Sequence, residues 1–233
     1  MKPERVVPGC WRIGLLGVNA YLVEGGSGLV LIDTGTSGTA GRLVSAVQGL
    51  GRSTFEIGDI LLTHQHSDHA GGLGRLADLT EARVHVHALD APELRAGLPA
   101  RPYTGRGRLG RLFARFPPGA PHGPAAIDHE LVDGDVVGGD LGIRTIHTPG
   151  HTAGHTAFVW PGRSGVLFAG DAITNVFGRL GHAPVGEDWE EADRSIGLLA
   201  EEEFAVAVFG HGRVLRGAAA AGIRRFAERL ASR

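Results

Sequence analysis

The sequence predicts an α/β fold in which two packed β-sheets are covered on their outer faces by helices. Three observations predict it: short β-type runs come first, strands and helices follow in mixed order, and histidines or aspartates come directly after several apolar runs. Sheets and helices bury their apolar faces against one another, so this order favours helices packed outside two sheets. At 233 residues with 42% hydrophobic content, one domain over residues 1–233 can bury a core without a second domain.

The N-terminal third contains a predicted hairpin, a helix and a buried strand. Residues 19–24 and 29–33 are β-type runs around a Gly-Gly-Ser-Gly turn, which predicts the hairpin. Ser37 or Thr39 can cap a helix whose apolar residues recur at helical spacing, namely Leu43, Val44, Val47 and Leu50. Residues 58–63 predict a buried strand, residues 72–79 a short helix, and residues 83–87 a strand that turns Val84 and Val86 inward.

The C-terminal half alternates strands with two amphipathic helices. Strands are predicted at about 143–147, 156–160, 165–170 and 204–209. Asp188 and Glu191 have the spacing of a capping box, which places a helix start there. The apolar face of that helix is Trp189, Ala192, Ile196 and Leu199, and a last helix carries Ile223, Phe226 and Leu230.

Residues 89–128 form a predicted insertion that is rich in proline and arginine and lacks clear periodicity. Its prolines are Pro99, Pro102, Pro117, Pro118, Pro121 and Pro124, and its arginines are Arg101, Arg106, Arg108, Arg111 and Arg115. One interpretation is an exposed loop with a short helix around 109–116. The other is a lid, since long loops in compact domains often cover binding sites. As a lid, it would bind substrate through residues such as Tyr103, Arg106 and Phe113, with the arginines selecting an anionic group and Leu112 or Phe116 adding apolar contact.

The segment Thr63-His64-Gln65-His66-Ser67-Asp68-His69 follows the apolar run Ile60-Leu61-Leu62 and concentrates three imidazoles and one carboxylate. Unpaired histidines and carboxylates gain little from being crowded, so a solvated polar loop is a poor explanation. Imidazole nitrogen and carboxylate oxygen suit zinc and its first-row neighbours, and a catalytic site needs several such groups around an open position. The segment therefore predicts a metal site.

Three later segments place another candidate ligand after an apolar, β-prone run. Each ligand follows a glycine, which would permit a sharp exit from the strand and close approach to an ion; the pairs are Gly150-His151, Gly170-Asp171 and Gly210-His211. Ligands of α/β sheets gather outside strand ends, so all four clusters are expected to lie at one edge.

The ordered motifs resemble the metallo-β-lactamase-fold hydrolases. The similarity covers about residues 19–211 and includes Thr-His-x-His-x-Asp-His-Ala-Gly-Gly at 63–72, Thr-Pro-Gly-His at 148–151, Gly-Asp at 170–171, Gly-His-Gly at 210–212 and Leu-Ile-Asp-Thr-Gly at 31–35. The resemblance implies a four-layer αββα sandwich with the site along one edge. The branch with glyoxalase II and generic hydrolases is the most similar in its 148–155 segment.

The resemblance also implies seven metal ligands in two groups bridged by Asp171. One group is His64, His66 and His151, and the other is Asp68, His69 and His211. The implied cofactors are two divalent ions, with zinc expected first and manganese or iron(II) as alternatives. A hydroxide shared by the two ions would attack an ester, lactone, thioester or phosphodiester. Asp68 is the implied catalytic residue, because it could orient that hydroxide or protonate the leaving group.

Several other groups are predicted to be supports or bystanders. Asp33 is a candidate to fix an imidazole tautomer, although an ordinary turn-stabilising role is equally compatible. His155 is expected to begin a strand rather than bind metal, and Cys10 is expected to be an inert apolar residue. The remaining histidines, which are expected on the surface or hydrogen-bonded in the core, are His85, His87, His122, His129, His147 and His182.

Composition restricts the partners. The net charge of −2 and a pI near 6.6 provide no basic field for nucleic acid or an anionic membrane. A single cysteine excludes an internal disulfide, and the sequence shows no signal-peptide core or membrane span. We therefore expect a cytoplasmic protein that acts on a small molecule, anionic if the insertion arginines select it. No nucleic acid or membrane partner is expected, and a homodimer is left open.

Missing features disfavour several branches of the family that the chain resembles. Antibiotic-cleaving members are usually exported and do not use the bridging aspartate, and the chain ends too soon after His211 for the glutathione-binding region of glyoxalase II. No nucleic-acid module is visible, and His66 replaces the glutamate of flavodiiron relatives. Persulfide dioxygenases, which use one iron in a similar site, are the alternative enzyme class. A non-catalytic metal protein is a third, although structural zinc sites normally saturate all four positions.

Overall fold

A computed structural model of the chain describes residues 2–116, 119, 123–162 and 165–232. The predicted α/β class is confirmed: two sheets pack face to face with helices outside. Pro117, Pro118, Pro121 and His122, which were part of the sequence predictions, lie outside the described residues. Within these ranges, no helix combines the length and apolar character needed to cross a membrane.

The strands follow one another along the chain as β1 (Glu4–Val7), β2 (Cys10–Leu15), β3 (Val18–Gly25), β4 (Gly28–Ile32), β5 (Ile57–Leu61), β6 (Arg83–His87), β7 (Thr104–Gly105), β8 (His129–Leu131), β9 (Val136–Val137), β10 (Ile143–His147), β11 (Thr156–Trp160), β12 (Val166–Phe168), β13 (Thr174–Val176), β14 (Arg179–Gly181), β15 (Val185–Gly186), β16 (Val206–Val208) and β17 (Leu215–Arg216). The α-helices are α1 (Ala40–Gly49), α2 (Leu73–Ala77), α3 (Ala91–Ala96), α4 (Gly107–Phe113), α5 (Trp189–Glu201) and α6 (Ala219–Ala231). Short 3₁₀ turns occupy Thr54–Glu56 and Gly139–Leu141.

Each large sheet mixes antiparallel and parallel neighbours. In the first sheet the strand order is β1-β2-β3-β4-β5-β6-β8, antiparallel up to β4 and parallel from β4 to β8. In the second the order is β17-β16-β12-β11-β10-β9, with β12 and β16 parallel. Small hairpin-like pairs β13-β14 and β7-β15 lie outside these sheets.

Apolar side chains form layers that hold the sheets and helices together. Leu31 and Ile60 pack on Leu43 of α1, which covers one face of the first sheet. Ile32, Phe158 and Phe168 belong to the layer between the two sheets. On the outer face of the second sheet, Leu167 packs in a cluster with Ile196 of α5 and Ile223 of α6. This arrangement is the predicted order of helix, sheet, sheet and helix.

Two expectations about helix caps were wrong in detail. Thr39 occupies the N-cap of α1, but its hydroxyl donates to the Thr36 carbonyl and makes no side-chain cap. Asp188 caps α5 through Glu190 N and Glu191 N, whereas the Glu191 carboxylate binds Arg194 instead of closing a capping box. Asp188 therefore caps the helix without a reciprocal hydrogen bond from Glu191, because the Arg194 guanidinium binds the Glu191 carboxylate.

Strand β6 is buried on both faces rather than on one. Val84 and Val86 enter the layer beneath the helices, as predicted. His85 and His87 are buried as well, because β6 is an inner strand between parallel neighbours and the second face is also covered. His85 Nε2 lies 2.7 Å from Asp59 Oδ1, and His87 stacks on His147 with ring centroids 4.0 Å apart.

The predicted insertion is largely ordered where it is described. It contains α3, β7 and α4, and α4 begins two residues earlier than the sequence indicated. Strand β7 pairs with β15, so the segment is attached to the loop that precedes α5. Whether it acts as a lid stays a prediction.

Candidate metal centre

The predicted ligands follow the ends of four strands, and the fold brings those ends together. His64, His66, Asp68 and His69 follow β5, and His151 follows β10. Asp171 follows β12 and His211 follows β16. Ligand atoms of these residues approach within 4.8 Å of one another in three overlapping groups: His64, His66 and His151; His64, His69 and Asp171; and Asp68, His69 and His211.

Two glycines before ligands are required by close packing. A Cβ on Gly210 would lie 2.1 Å from Asp171 Oδ1 and 2.5 Å from His69 Cε1. Gly170 has φ of +51°, and a Cβ there would lie 2.6 Å from His155 Nε2. A side chain is therefore excluded at Gly170 and Gly210, because the groups around the candidate centre approach the backbone closely there.

The first group brings three ring nitrogens together. His64 Nε2 lies 3.1 Å from His66 Nδ1 and 3.1 Å from His151 Nε2, and His66 Nδ1 lies 2.9 Å from His151 Nε2. His151 Nδ1 donates to the Val185 carbonyl at 2.9 Å, so its Nε2 presents a lone pair to the other rings. Three lone pairs at this separation repel one another unless a proton or a cation lies among them.

The second group combines two imidazoles with carboxylates. His211 Nε2 lies 3.2 Å from Asp68 Oδ2 and 3.4 Å from His69 Nε2. His211 Nδ1 donates to the Gly17 carbonyl at 2.8 Å, and this bond directs Nε2 toward the carboxylates. The arrangement offers nitrogen and oxygen donors to the same point.

Asp171 lies between the two groups. Its Oδ2 is 3.3 Å from His211 Nε2 and 3.6 Å from His151 Nε2, whereas its Oδ1 is 3.5 Å from His69 Nε2. The carboxylate is buried, and Oδ1 has no hydrogen-bond partner within the described residues. A buried carboxylate oxygen without a partner is costly, and a cation would satisfy it.

The electrostatics differ between the two groups. Burial lowers the pKa of His66 to about 3 and also lowers the pKa values of His64 and His151. Asp171 is the main cause that raises the pKa of His211 to about 11; burial opposes the charged form of His69, but Asp171 and Asp68 raise its pKa to about 9. The first group is thus a set of neutral imidazoles, whereas the second holds protons that a cation would displace.

The donors present fit divalent metal ions of the zinc type. Zinc–nitrogen bonds of ~2.0–2.1 Å in a tetrahedral arrangement place neighbouring nitrogens roughly 3.3 Å apart, close to the spacing of the first group. Imidazole and carboxylate are ligands that zinc, manganese and iron(II) accept. The convergent nitrogens and the unpartnered Asp171 oxygen support the fit, while the identity and number of ions stay predictions.

Asp33 supports both groups from behind. Its Oδ2 accepts from His69 Nδ1 at 2.8 Å, and its Oδ1 accepts from Thr63 N at 2.8 Å. The Thr63 hydroxyl contacts both carboxylate oxygens and lies 3.0 Å from His64 Nδ1, which can therefore donate to it. Asp33 is buried with φ of +60°, a left-handed conformation that aspartate adopts more readily than most residues.

Asp33→Asn is expected to weaken metal binding by roughly 10- to 100-fold, because asparagine has one acceptor oxygen where Asp33 uses two, one for His69 Nδ1 and one for Thr63 N. Competition with a chromogenic chelator measures the affinity. Asp59→Asn is the matched control, since Asp59 holds the buried His85 at 2.7 Å in the same sheet away from the centre. An equal loss of affinity in both variants would show that Asp33 acts only through stability.

His155 is close to the centre but does not face it. Its Nε2 accepts from the Asp171 backbone N–H at 3.0 Å, and its Nδ1 lies 2.8 Å from the Thr148 hydroxyl. Both ring nitrogens are therefore engaged, and His155 fixes the backbone that carries Asp171. Cys10 is buried in the layer between the sheets, where burial raises its thiol pKa to about 12.

Asp90, which no sequence motif singled out, holds the loops of the candidate ligands together. This buried carboxylate accepts from Gln65 N at 3.1 Å, from the Thr152 hydroxyl at 2.7 Å and from Gly154 N at 3.0 Å. Gln65 lies between two candidate ligands, and Thr152 follows His151 directly. Asp90 also pairs with Arg101, whose Nε lies 3.1 Å from a Glu187 oxygen. Arg101 is thus a structural residue and not a free anion selector.

A cavity of 1240 Å³ opens from the ligand cluster, and its wall includes His66, Asp68, Asp171 and His211. All three residues predicted to bind substrate, Tyr103, Arg106 and Phe113, line it as well. The Arg106 guanidinium is engaged by Asp193 at 3.2 Å and by His182 at 3.0 Å, however, so its charge is already paired.

Two other wall residues are better placed to attract an anion. Arg179 and Arg213 line the same cavity, and neither guanidinium has an ion-pair partner among residues 2–116, 119, 123–162 and 165–232. Nothing in the sequence around them resembles a known anion motif.

Comparisons with known proteins agree with this geometry. The sequence model of the Metallo-beta-lactamase superfamily matches residues 13–211. The uncharacterized protein YobT of Bacillus subtilis (strain 168) is 34% identical over 219 residues, which cover 87% of this chain and 86% of that protein. A hydroxyacylglutathione hydrolase of Cereibacter sphaeroides (strain ATCC 17023) is 33% identical over 180 residues, or 73% of this chain. The match spans only 56% of that enzyme's length.

Solved structures are similar over the whole chain. A B3 metallo-β-lactamase described as having an active-site glutamic acid superposes with a TM-score of 0.76 at 26% identity, covering 100% of this chain and 89% of that one. The MIM-2 metallo-β-lactamase gives a TM-score of 0.78 at 23% identity, with coverage of 100% and 88%. At the latter identity the likeness concerns the fold alone.

Proposed function

The chain belongs to the metallo-β-lactamase superfamily, and from this membership we propose that it is a metal-dependent hydrolase of acyl compounds, with thioesters the first class to test. The observation that carries the proposal is the position of the buried Asp171 carboxylate, which lies near His151 of the group of three imidazoles and near His211 of the second group. Bound divalent ions would supply acidified water and polarise the scissile carbonyl.

Different residues of the chain would bind the ions and transfer protons. His64, His66 and His151 would hold one ion, Asp68, His69 and His211 a second, and Asp171 would contact both. Asp68 is the candidate catalytic residue, because it lines the cavity and its carboxylate is 41% exposed. Burial opposes its ionisation, yet His69 and His211 hold its pKa below the ordinary value. An ionised carboxylate at the cavity wall can accept a proton and later deliver it to a leaving group.

The choice of acyl compounds rests on the cavity and on the relatives. Apolar side chains such as Phe113, Leu180 and Phe226 line the wall beyond the ligand cluster, which suits a substrate with a hydrocarbon part. Relatives at 28–33% identity include hydroxyacylglutathione hydrolases and the thioesterase pkgB of Emericella nidulans. Both names denote thioester cleavage, and the extension of that reaction to this chain is part of the proposal.

The proposal is tested by metal analysis together with a substrate panel of acyl thioesters, acyl esters, lactones and phosphodiesters. We expect two divalent ions per chain and hydrolysis of at least one acyl class. Chelation should abolish the activity, and zinc or manganese should restore it, because the proposed reaction needs bound ions to acidify water and polarise the carbonyl. The cytoplasmic location and small-molecule substrate expected from composition belong to the same proposal.

Two outcomes would contradict it. A single bound iron with oxygen uptake on glutathione persulfide would assign the chain to the persulfide dioxygenase class. Full metal occupancy without hydrolysis of any panel member would favour a metal-binding protein that is not a hydrolase. The two outcomes differ in metal content, so they are distinguished before any activity is measured.

A further inference from the structure

Two hairpin tips beside the ligand cluster carry large apolar side chains that face solvent. Leu16 lies at the turn between β2 and β3, and its side chain is 75% exposed. Phe177 lies at the turn between β13 and β14 and is 88% exposed. Such exposure removes any packing reason for a large apolar residue at either position.

The backbone at both tips also disfavours these residues. Each hairpin has a two-residue loop, Leu16-Gly17 between the Leu15 and Val18 pair and Phe177-Gly178 between the Val176 and Arg179 pair. Leu16 and Phe177 have φ of +57° and +53°, and the glycines that follow also have positive φ. Such turns favour asparagine, aspartate or glycine, because a bulky side chain is strained there. Strain and exposure together indicate a role outside folding.

Both side chains line the cavity that contains the candidate metal ligands. Tyr103 and Phe113 of the insertion belong to the same wall, and the Tyr103 ring lies 5.7 Å from the His66 ring. Phe226 of α6 is a further apolar part of the lining. The two tips therefore extend an apolar wall outward from the place where a carbonyl would react.

We propose that Leu16 and Phe177 form a hydrocarbon clamp, in which the two tips bind the extended aliphatic chain of an acyl substrate whose carbonyl lies at the ligand cluster. The clamp rests on the proposed hydrolase function and specifies its substrate class as medium- to long-chain acyl thioesters or esters. The cavity of 1240 Å³ exceeds what a short acyl group would fill. The shared wall favours a substrate chain over a membrane surface, because both tips line the same cavity as His66, Asp68, Asp171 and His211.

The test uses the double variant Leu16→Asn with Phe177→Asn. Asparagine is favoured at positive φ, so the variant should fold at least as stably as the parent, which the melting temperature checks. The ratio of kcat/KM for dodecanoyl over acetyl thioester should fall roughly tenfold or more, because the chain loses apolar contacts at each tip. Phe55→Asn is the matched control; Phe55 is 74% exposed but lies outside the cavity wall, and its replacement should leave the ratio unchanged.

A second readout does not depend on hydrolysis. The neutral apolar dye N-phenyl-1-naphthylamine should bind the metal-loaded parent with enhanced fluorescence, and the double variant should bind it roughly tenfold more weakly. If no panel substrate is hydrolysed but dye binding is lost in the variant, the hydrolase proposal fails and the apolar site stands. An unchanged chain-length ratio with unchanged dye binding overturns the clamp. Sedimentation of the parent, but not of the variant, with neutral phosphatidylcholine vesicles would also overturn it, by assigning the tips to a lipid surface.

Discussion

Asp171→Asn is expected to lose at least one of two bound ions and to reduce kcat/KM by ~10³-fold or more, equivalent to about 4 kcal/mol of transition-state stabilisation. Among the residues with described positions, Asp171 is the carboxylate that lies near ligands of both groups: its Oδ2 is 3.6 Å from His151 Nε2 and 3.3 Å from His211 Nε2, and its Oδ1 is 3.5 Å from His69 Nε2. Asparagine keeps the size of the side chain but replaces one oxygen with an amide nitrogen that cannot bind a cation. Metal analysis after gel filtration and steady-state kinetics measure the two losses.

A structural effect of the same substitution can be separated by titration. Without metal, Asp171 is the main cause that raises the His211 pKa to about 11. Its replacement removes charge that stabilises the imidazolium, so the His211 pKa should fall, which NMR of the metal-free protein measures. A variant that keeps both ions and most activity would refute the bridging role. A variant whose melting temperature collapses with an unchanged His211 pKa would show that Asp171 supports only the fold.

The convergence of the candidate ligands could be anticipated from the sequence, because each group of candidates follows the end of a strand within a few residues. Strands β6, β10 and β11 have the bounds that the residue pattern predicted, and the strand before Asp171 lies within its predicted run. Parallel strand ends meet at one edge of a sheet, so Asp33 after β4 lies beside the residues after β5, and Asp171 after β12 lies beside His211 after β16. The local residue pattern was sufficient to predict these positions, because the apolar run determines the strand and the glycine or polar residue after it determines where the strand ends.

The contacts that depend on distant segments could not be predicted. The alternation in β6 suggested one buried face, but the second sheet covers the other face and buries His85 and His87. Arg101 was one of several similar arginines, and only the folded chain places it against Asp90 and Glu187. Phe177-Gly178 is not a typical hairpin signal, because phenylalanine is unfavourable at positive φ. Sequence reasoning favours unstrained turns and misses those that carry strain.

Replacement of the buried Asp90 is expected to have the largest effect on stability among the substitutions considered. Asp90→Ala is expected to lower the free energy of unfolding by about 3–5 kcal/mol, because it leaves the Arg101 guanidinium and several buried donors without their acceptor. Metal affinity should fall as well, since Asp90 fixes Gln65 and Thr152 beside candidate ligands. Urea denaturation with chelator competition measures both losses on the same preparations.

Three variants distinguish the buried contacts of Asp90 from an ordinary ion pair: Asp90→Ala, Arg101→Met and Asp193→Ala. Arg101→Met should cost less than Asp90→Ala, because Asp90 retains backbone and hydroxyl donors when the guanidinium is removed. Asp193→Ala removes a half-exposed carboxylate that contacts Arg106 and His182 and joins the insertion to the body, and it should cost at most about 1 kcal/mol. If Asp193→Ala were as destabilising as Asp90→Ala, attachment of the insertion would be the common cause. A larger loss for Asp90 with a parallel loss of metal would instead assign it the role of holding the ligand loops in register.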